Sequence, residues 1–211
     1  MAKKQKLIIL TIIILVLGGG LFYWWQDKIE SYLERKELAE VVAPSKDYTI
    51  IEIANGKFIV NKEDKLRVKV PEGWGAEVGM DMGGYASEER VILYSPNFSY
   101  RPPQGCLVEM QISRLSKRKE GFLVEGVEEV KAAINHYKKA NLEEKEDAGV
   151  EIILVNQQEA LQQTSTLSEE IGKHVSIKIP IEDRVYFFEF ILFSEECDQE
   201  FEKFLETVSI D

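Results

Sequence analysis

The segment RVYFFEFILF, Arg184 to Phe193, sets the strongest limit on what this chain can fold into. Successive side chains of a strand point to opposite faces. Here both faces are apolar: Val185, Phe187, Ile191 and Phe193 on one, Tyr186, Phe188, Phe190 and Leu192 on the other. Such a strand must be covered on both sides, so its sheet lies between two layers. Two helical patterns can supply the cover. In VEGVEEVKAAINHYKKA, Val127, Val130, Ile134 and Tyr137 share one face with Ala133 beside them, and lysines at its C-terminal end suit the helix dipole. In the last stretch of chain Phe201, Phe204, Leu205 and Val208 form a second stripe, with Asp198 and Glu200 near its start.

The remaining patterns are strands. Tyr48–Ala54 leads through Asn55-Gly56, read as a type I′ turn, into Lys57–Asn61. In KLRVKVPEGW, Leu66, Val68 and Val70 alternate with Arg67 and Lys69 until Pro71 and Gly73 stop the strand. Further strands are predicted at Arg90–Ser95, Cys106–Ser113, Val150–Val155, Glu159–Thr166 and His174–Ile179. The expected fold is α+β: a mainly antiparallel sheet with helices on both faces, an α/β/α sandwich filling residues 47–211, a length that suits one domain with its own core.

The N-terminus places this domain. Residues 1–6 carry Lys3, Lys4 and Lys6 and no acid, and Leu7–Leu17 is almost wholly aliphatic. Eleven apolar residues rise only about 16 Å as a helix, the length of a signal-peptide core, with Gly18 and Gly20 as small residues for cleavage. The longer reading, Leu7–Trp25, spans about 28 Å and sets Tyr23, Trp24 and Trp25 at the far membrane interface. It gives every residue of LFYWW a favourable place, so an uncleaved transmembrane helix over 7–25 is expected, with cleavage after Gly20 as the alternative. The basic end stays cytoplasmic and the bulk faces outward across the cell membrane. Residues 26–46 read as a stalk helix and linker, marked by Ile29, Tyr32 and Leu33 and ended by Pro44.

Charge narrows the partners. All 37 acids lie after residue 25 and three of the 26 bases before it, so the outer part has 37 acids against 23 bases, a net charge of −14. Nucleic acid and anionic lipid headgroups are poor partners for such a surface.

A hairpin, a strand ending in VPEGW (Val70–Trp74), a single middle helix, two more hairpin-like pairs and a closing FEKFLETVSI (Phe201–Ile210) together resemble the PsbP-like family, over residues 57–211. The resemblance is to its membrane-anchored bacterial members, and it implies an α/β/α sandwich with a non-enzymatic docking or assembly role. It carries no metal-binding histidine onto His136 or His174. The anchor departs from the family's lumenal and nuclear members, whose partners do not transfer.

Candidate chemistry is sparse. Cys106 opens one strand and Cys197 follows the end of another, outside the membrane where oxidation is permitted. A disulfide is expected if those strands are antiparallel neighbours; two buried free thiols are the alternative. Glu189 stands among phenylalanines, where a carboxylate costs free energy unless paired. It is a candidate buried acid, answered by a cation such as Lys178. Two loops flank Arg90–Ser95 and offer side chains suited to protein contacts: Met80, Met82 and Tyr85 in one, Phe98, Tyr100 and Arg101 in the other. The alternative is that their rings fold back onto the core. His136 and His174 make no zinc site without further ligands, and the acids of GMDMGGYASEE and SEECDQE lack calcium-loop spacing. Asn97-Phe98-Ser99 matches a glycosylation sequon, a chance match at this level.

No nucleophile–base arrangement, cofactor motif or metal motif stands out, so no catalytic residue, metal or cofactor is expected. The reading is a single-pass, membrane-anchored extracytoplasmic binding or assembly module with a protein partner. The alternatives are a structural subunit of an envelope complex and an extracytoplasmic hydrolase using Glu189.

Overall fold

The computed structural model describes residues 40–79, 90–119, 124–168 and 172–210. The chain divides into two units, Met1–Glu40 and Val41–Asp211. The expected transmembrane helix, and the stalk up to residue 39, lie outside the described residues. No helix among the described residues is long and apolar enough to cross a membrane.

The second unit is α+β and mainly antiparallel. Its strands are β1 (Tyr48–Ile53), β2 (Gly56–Asn61), β3 (Leu66–Lys69), β4 (Gly75–Val78), β5 (Val91–Tyr94), β6 (Ser99–Tyr100), β7 (Pro103–Gln104), β8 (Cys106–Ser113), β9 (Val150–Val155), β10 (Gln158–Ser168), β11 (Gly172–Ile181), β12 (Arg184–Leu192) and β13 (Ser209–Ile210). Its α-helices are α1 (Val127–Lys139), α2 (Leu142–Ala148) and α3 (Glu195–Glu206). Seven strands form the main sheet in the order β4-β5-β8-β12-β11-β10-β9, and a second sheet runs β1-β2-β3-β13.

Strand β12 lies at the centre of the main sheet and uses both its faces, as its pattern predicts. Val185 packs with Val127, Val130 and Ile134 of α1, and Phe187 joins that cluster. Tyr186, Phe188, Phe190 and Leu192 belong to the larger core, with Ile59, Leu66 and Val68 of the second sheet. There Phe201 and Phe204 of α3 meet Phe190 edge-on, with ring centroids 4.6 and 5.4 Å apart. Each face thus carries a helix, but a four-stranded sheet shares the second face with α3. The alternation of β1 to β3 shows that one side is buried without saying in which sheet.

Three local expectations are corrected. The hairpin β1–β2 forms, but Ile53 pairs with Gly56, so the turn residues are Ala54-Asn55. The positive φ falls on Gly56 (+123°), so this is no type I′ turn. A two-residue loop with both φ positive joins β9 to β10 instead, at Asn156 (+50°) and Gln157 (+64°). The compact unit also begins before residue 47. Val41, Val42 and Ala43 are fully buried, and the Arg114 and Ala43 amides donate to the Val41 and Ile112 carbonyls. Helix α2 went unseen because LEEKEDA has no apolar stripe. Its ends hold it: the Asn141 side chain accepts from the Glu144 amide (2.8 Å), and Gly149 closes it at φ +60°.

Two links tie the layers together. Cys106 and Cys197 form a disulfide with Cα atoms 5.6 Å apart, joining the start of β8 to the first turn of α3. Because Cys106 pairs in register with Leu192, the start of β8 meets the end of β12, as expected for antiparallel neighbours. At the opposite end of β8, Asp64 in the β2–β3 turn has a fully buried carboxylate. It accepts hydrogen bonds from Asn61 Nδ2 (3.0 Å), Arg114 Nη2 (2.7 Å) and Arg184 Nε (2.7 Å). The Tyr186 hydroxyl donates to the Asp64 carbonyl at 2.6 Å. Burial raises the pKa of Asp64, but the hydrogen bonds from Arg114 and Arg184 outweigh it and hold the carboxyl below its usual range. Burial, with the Asp64 charge, pushes Tyr186 up to about 12.

Candidate binding cleft on the open sheet face

Helix α1 covers only part of its side of the main sheet. The register aligns Gln111, Phe187 and Lys178 in one row across β8, β12 and β11. The next row is Glu109, Glu189 and Ser176, and the one beyond it Leu107, Ile191 and His174. These side chains share the face that carries Val185, because the rows are two residues apart. The α1 cluster includes Val185 and Phe187 and stops there. Beyond it lies a cleft of about 320 Å³.

Two glutamates facing each other across neighbouring strands repel unless a cation lies between them. Arg90, just ahead of β5, supplies it. Its guanidinium is hydrogen-bonded to Glu109 and stands 3.7 Å from Glu189. Glu109 is nearly covered, whereas the Glu189 side chain is 43% exposed. Glu189 is therefore not a buried acid, and its partner is Arg90 rather than Lys178. Lys178 lies one row away and pairs with Glu125 at 2.7 Å.

The cleft's other wall comes from the segment between β8 and α1. Glu129 in the first turn of α1 accepts the amides of Gly126 and Arg118, both at 3.0 Å, and so fixes where Arg118 leaves the chain. Burial raises the Glu129 pKa, but these two amides and the charge of Lys117 outweigh it and hold it low. Gly126 allows the close pass of this segment, since a Cβ there would lie 2.6 Å from the Lys117 backbone. Arg118 makes no side-chain ion pair with a described residue. The Nε2 of Gln111 is buried without a hydrogen-bond partner among the described residues. Phe187, Met110 and Val124 complete the lining.

The aromatic loop adjoins this region. Phe98 lies 4.8 Å from Tyr100 and 6.2 Å from Phe193 between ring centroids. Phe193 shares the strand parity of Ile191 and Glu189, so the trio stands on the same side of the sheet. Partial burial and then the charge of Glu109 raise the Tyr100 phenol above its ordinary range. Phe98 folds half-buried among these rings, while Tyr100 remains 44% exposed and Arg101 is exposed. Met80, Met82 and Tyr85 lie outside the described residues.

Sequence reasoning found Glu189, Tyr100 and Phe98 but missed Arg90, Glu109, Gln111 and Arg118. Glu109 and Gln111 do interrupt the apolar run CLVEMQIS on one parity, the same signal that marked Glu189. The histidines are not brought together: His136 pairs with Glu144 at 3.1 Å, and His174 sits in β11 opposite Ile191. Among the described residues no three His, Cys, Asp or Glu side chains are arranged to hold a metal ion. The described lining of the cleft includes no serine, threonine, cysteine or histidine, and Glu109, Glu125 and Glu189 each stand beside a cation. The cleft thus combines placed charges, a buried amide without a described partner and the apolar ring of Phe187.

A second groove, of about 930 Å³, lies between the β1–β2 hairpin, Val70–Trp74 and α3. Here the two sequence pieces behind the PsbP-like resemblance pack together, with Trp74 and Phe204 buried in the core.

No family model matches the chain, and no curated protein matches it. Two solved structures are similar in fold. One is a crystal structure from Bacteroides thetaiotaomicron, with 12% identity and a TM-score of 0.42, matched over 70% of this chain and 45% of that one. This chain thus spans less than half the length of that protein. The other is the solution structure of cyanobacterial PsbP (CyanoP) from Synechocystis, with 10% identity and a TM-score of 0.41, over 78% of this chain and 93% of that one.

Proposed function

We propose that this chain is a single-pass, membrane-anchored extracytoplasmic binding or assembly module without catalytic activity, and that its recognition surface is the open part of the main sheet. The observation that carries the reading is the cleft beside α1. Its acids are already ion-paired, its described lining has no serine, threonine, cysteine or histidine, and an aromatic cluster with Tyr100 exposed adjoins it. Paired acids favour recognition over acid–base chemistry, because their oxygens are already engaged by cations. The apolar run Leu7–Trp25 with its basic flank supports the anchor and the outward orientation. The disulfide agrees with an oxidising compartment.

The test is photo-crosslinking in native membranes. A photoreactive side chain replaces Tyr100 in one form of the full chain and Leu154, 73% exposed on the edge strand β9, in another. Adducts are expected at position 100 and not at 154, on a chain that keeps its N-terminal peptide in the membrane fraction. Equal labelling at both positions would remove the recognition surface. Turnover of an ester, peptide or glycoside substrate that Glu189→Gln abolishes would replace the reading with the hydrolase.

A further inference from the structure

The charges of the cleft are sorted from end to end. In the Glu109–Glu189 row one guanidinium, that of Arg90, answers two carboxylates, leaving one negative charge uncompensated. At the Gln111–Phe187 row Lys178 and Glu125 cancel, and Arg118 has no ion-pair partner among the described residues. The buried Nε2 of Gln111 adds a hydrogen-bond donor with no acceptor among the described residues. A buried donor left unmet costs about 1–3 kcal/mol, and an acceptor that arrived at this end would recover that cost. Phe187 stands in this second row, between Gln111 and Lys178, and Val124 is also in the lining.

We infer that the cleft binds a small zwitterion of dipeptide size, its carboxylate against Arg118 and Gln111 and its ammonium against Glu109 and Glu189. Length fits, because rows two residues apart on a strand are separated by about 7 Å. An extended dipeptide spans about the same distance. The cavity, about 320 Å³, lies at the small end of ligand sites. Charge also selects. A purely anionic ligand meets the negative field of the outer part and the acidic row. A purely cationic one leaves Arg118 and Gln111 unmet. The assignment rests on the reading of the chain as a binding module and names what the module recognises.

The test is calorimetric titration of the detergent-solubilised full chain with L-alanyl-L-phenylalanine, its N-acetyl derivative and its C-terminal amide. The free dipeptide is expected to bind. Amidation or acetylation is expected to weaken it by roughly tenfold to a hundredfold, the worth of a hydrogen bond to a charged group. Arg118→Gln should cost the free dipeptide about as much as amidation does and cost the amide little further; Glu189→Gln should stand in the same relation to acetylation. Arg118 is exposed and Glu189 partly exposed, so both variants are expected to keep the wild-type melting curve, which is checked alongside. Equal binding of free and blocked peptides overturns the inference. So does the absence of heat with the free dipeptide up to about 10 mM. If the dipeptide fails while the adduct at position 100 forms, this assignment falls and the binding-module reading stands. If the dipeptide binds and no adduct forms, the assignment stands and the protein partner is withdrawn.

Discussion

Replacing Asp64 by Asn keeps the shape of the side chain and removes its charge. In the native fold that carboxylate receives Arg114 Nε at 3.1 Å, Arg114 Nη2 at 2.7 Å and Arg184 Nε at 2.7 Å, with no solvent exposure of its own. Removing one partner of a buried ion pair costs about 3–5 kcal/mol, because the remaining charge stays desolvated. Both arginines keep second partners: Asp47 at 2.8 Å and Glu63 at 3.4 Å for Arg114, Asp183 at 2.7 Å for Arg184. The lower end, about 3 kcal/mol, therefore applies. For a unit of this size that is roughly 6–12 °C in melting temperature. The assay is a circular-dichroism melt of the full chain at neutral pH and on acidification. The folded pKa of Asp64 lies below its unfolded value of about 3.9, so in the window between the two the unfolded chain binds more protons. The contribution is full above about pH 4 and is lost as pH falls through the folded pKa. The gap between wild type and Asp64→Asn should close over that acidic window. A variant melting within about 2 °C of wild type, or a gap that persists in strong acid, would refute the argument that this charge ties the two sheets together.

Three further outcomes follow from single contacts. The buried Tyr48 hydroxyl has no well-formed hydrogen bond to a described residue, and burial pushes its pKa far up, so Tyr48→Phe should leave stability unchanged or raise it slightly in a denaturant titration. The Cys106–Cys197 link closes a loop with a sequence separation of 91, so Cys106→Ser paired with Cys197→Ser should cost about 4–5 kcal/mol in the chain-entropy account, read from the same titration. Gly149 has φ +60°, and a Cβ there would come 2.2 Å from the Thr164 carbonyl oxygen, so Gly149→Ala should cost at least about 2 kcal/mol and raise amide exchange in β9 and β10.

Legibility in the sequence followed the range of the forces involved. Helix α1 and strands β8, β9 and β12 were readable because their patterns are local and repeat with the period of the element. Helix α2 and strand β4 were not, since their short segments carry no periodic apolar signal. Glu189 could be singled out as an acid in an apolar strand. Its partner Arg90 could not be named, because 99 residues of chain separate them and no spacing rule links them. The Asp64 cluster was invisible for the same reason: its arginines lie 50 and 120 residues away.

The sequence by itself determined most of the strands and two of the three helices, that the central strand needs cover on both faces, and that the chain after residue 25 is strongly acidic. These follow from side-chain period and composition, which are properties of neighbours along the chain. Only the tertiary structure decided which strands adjoin, that a second sheet shares one face with α3, and that α1 leaves part of the other face open. Those outcomes depend on which buried surfaces fit together across long loops. The free energy that decides among them comes from contacts between residues far apart in sequence, and no local pattern records it.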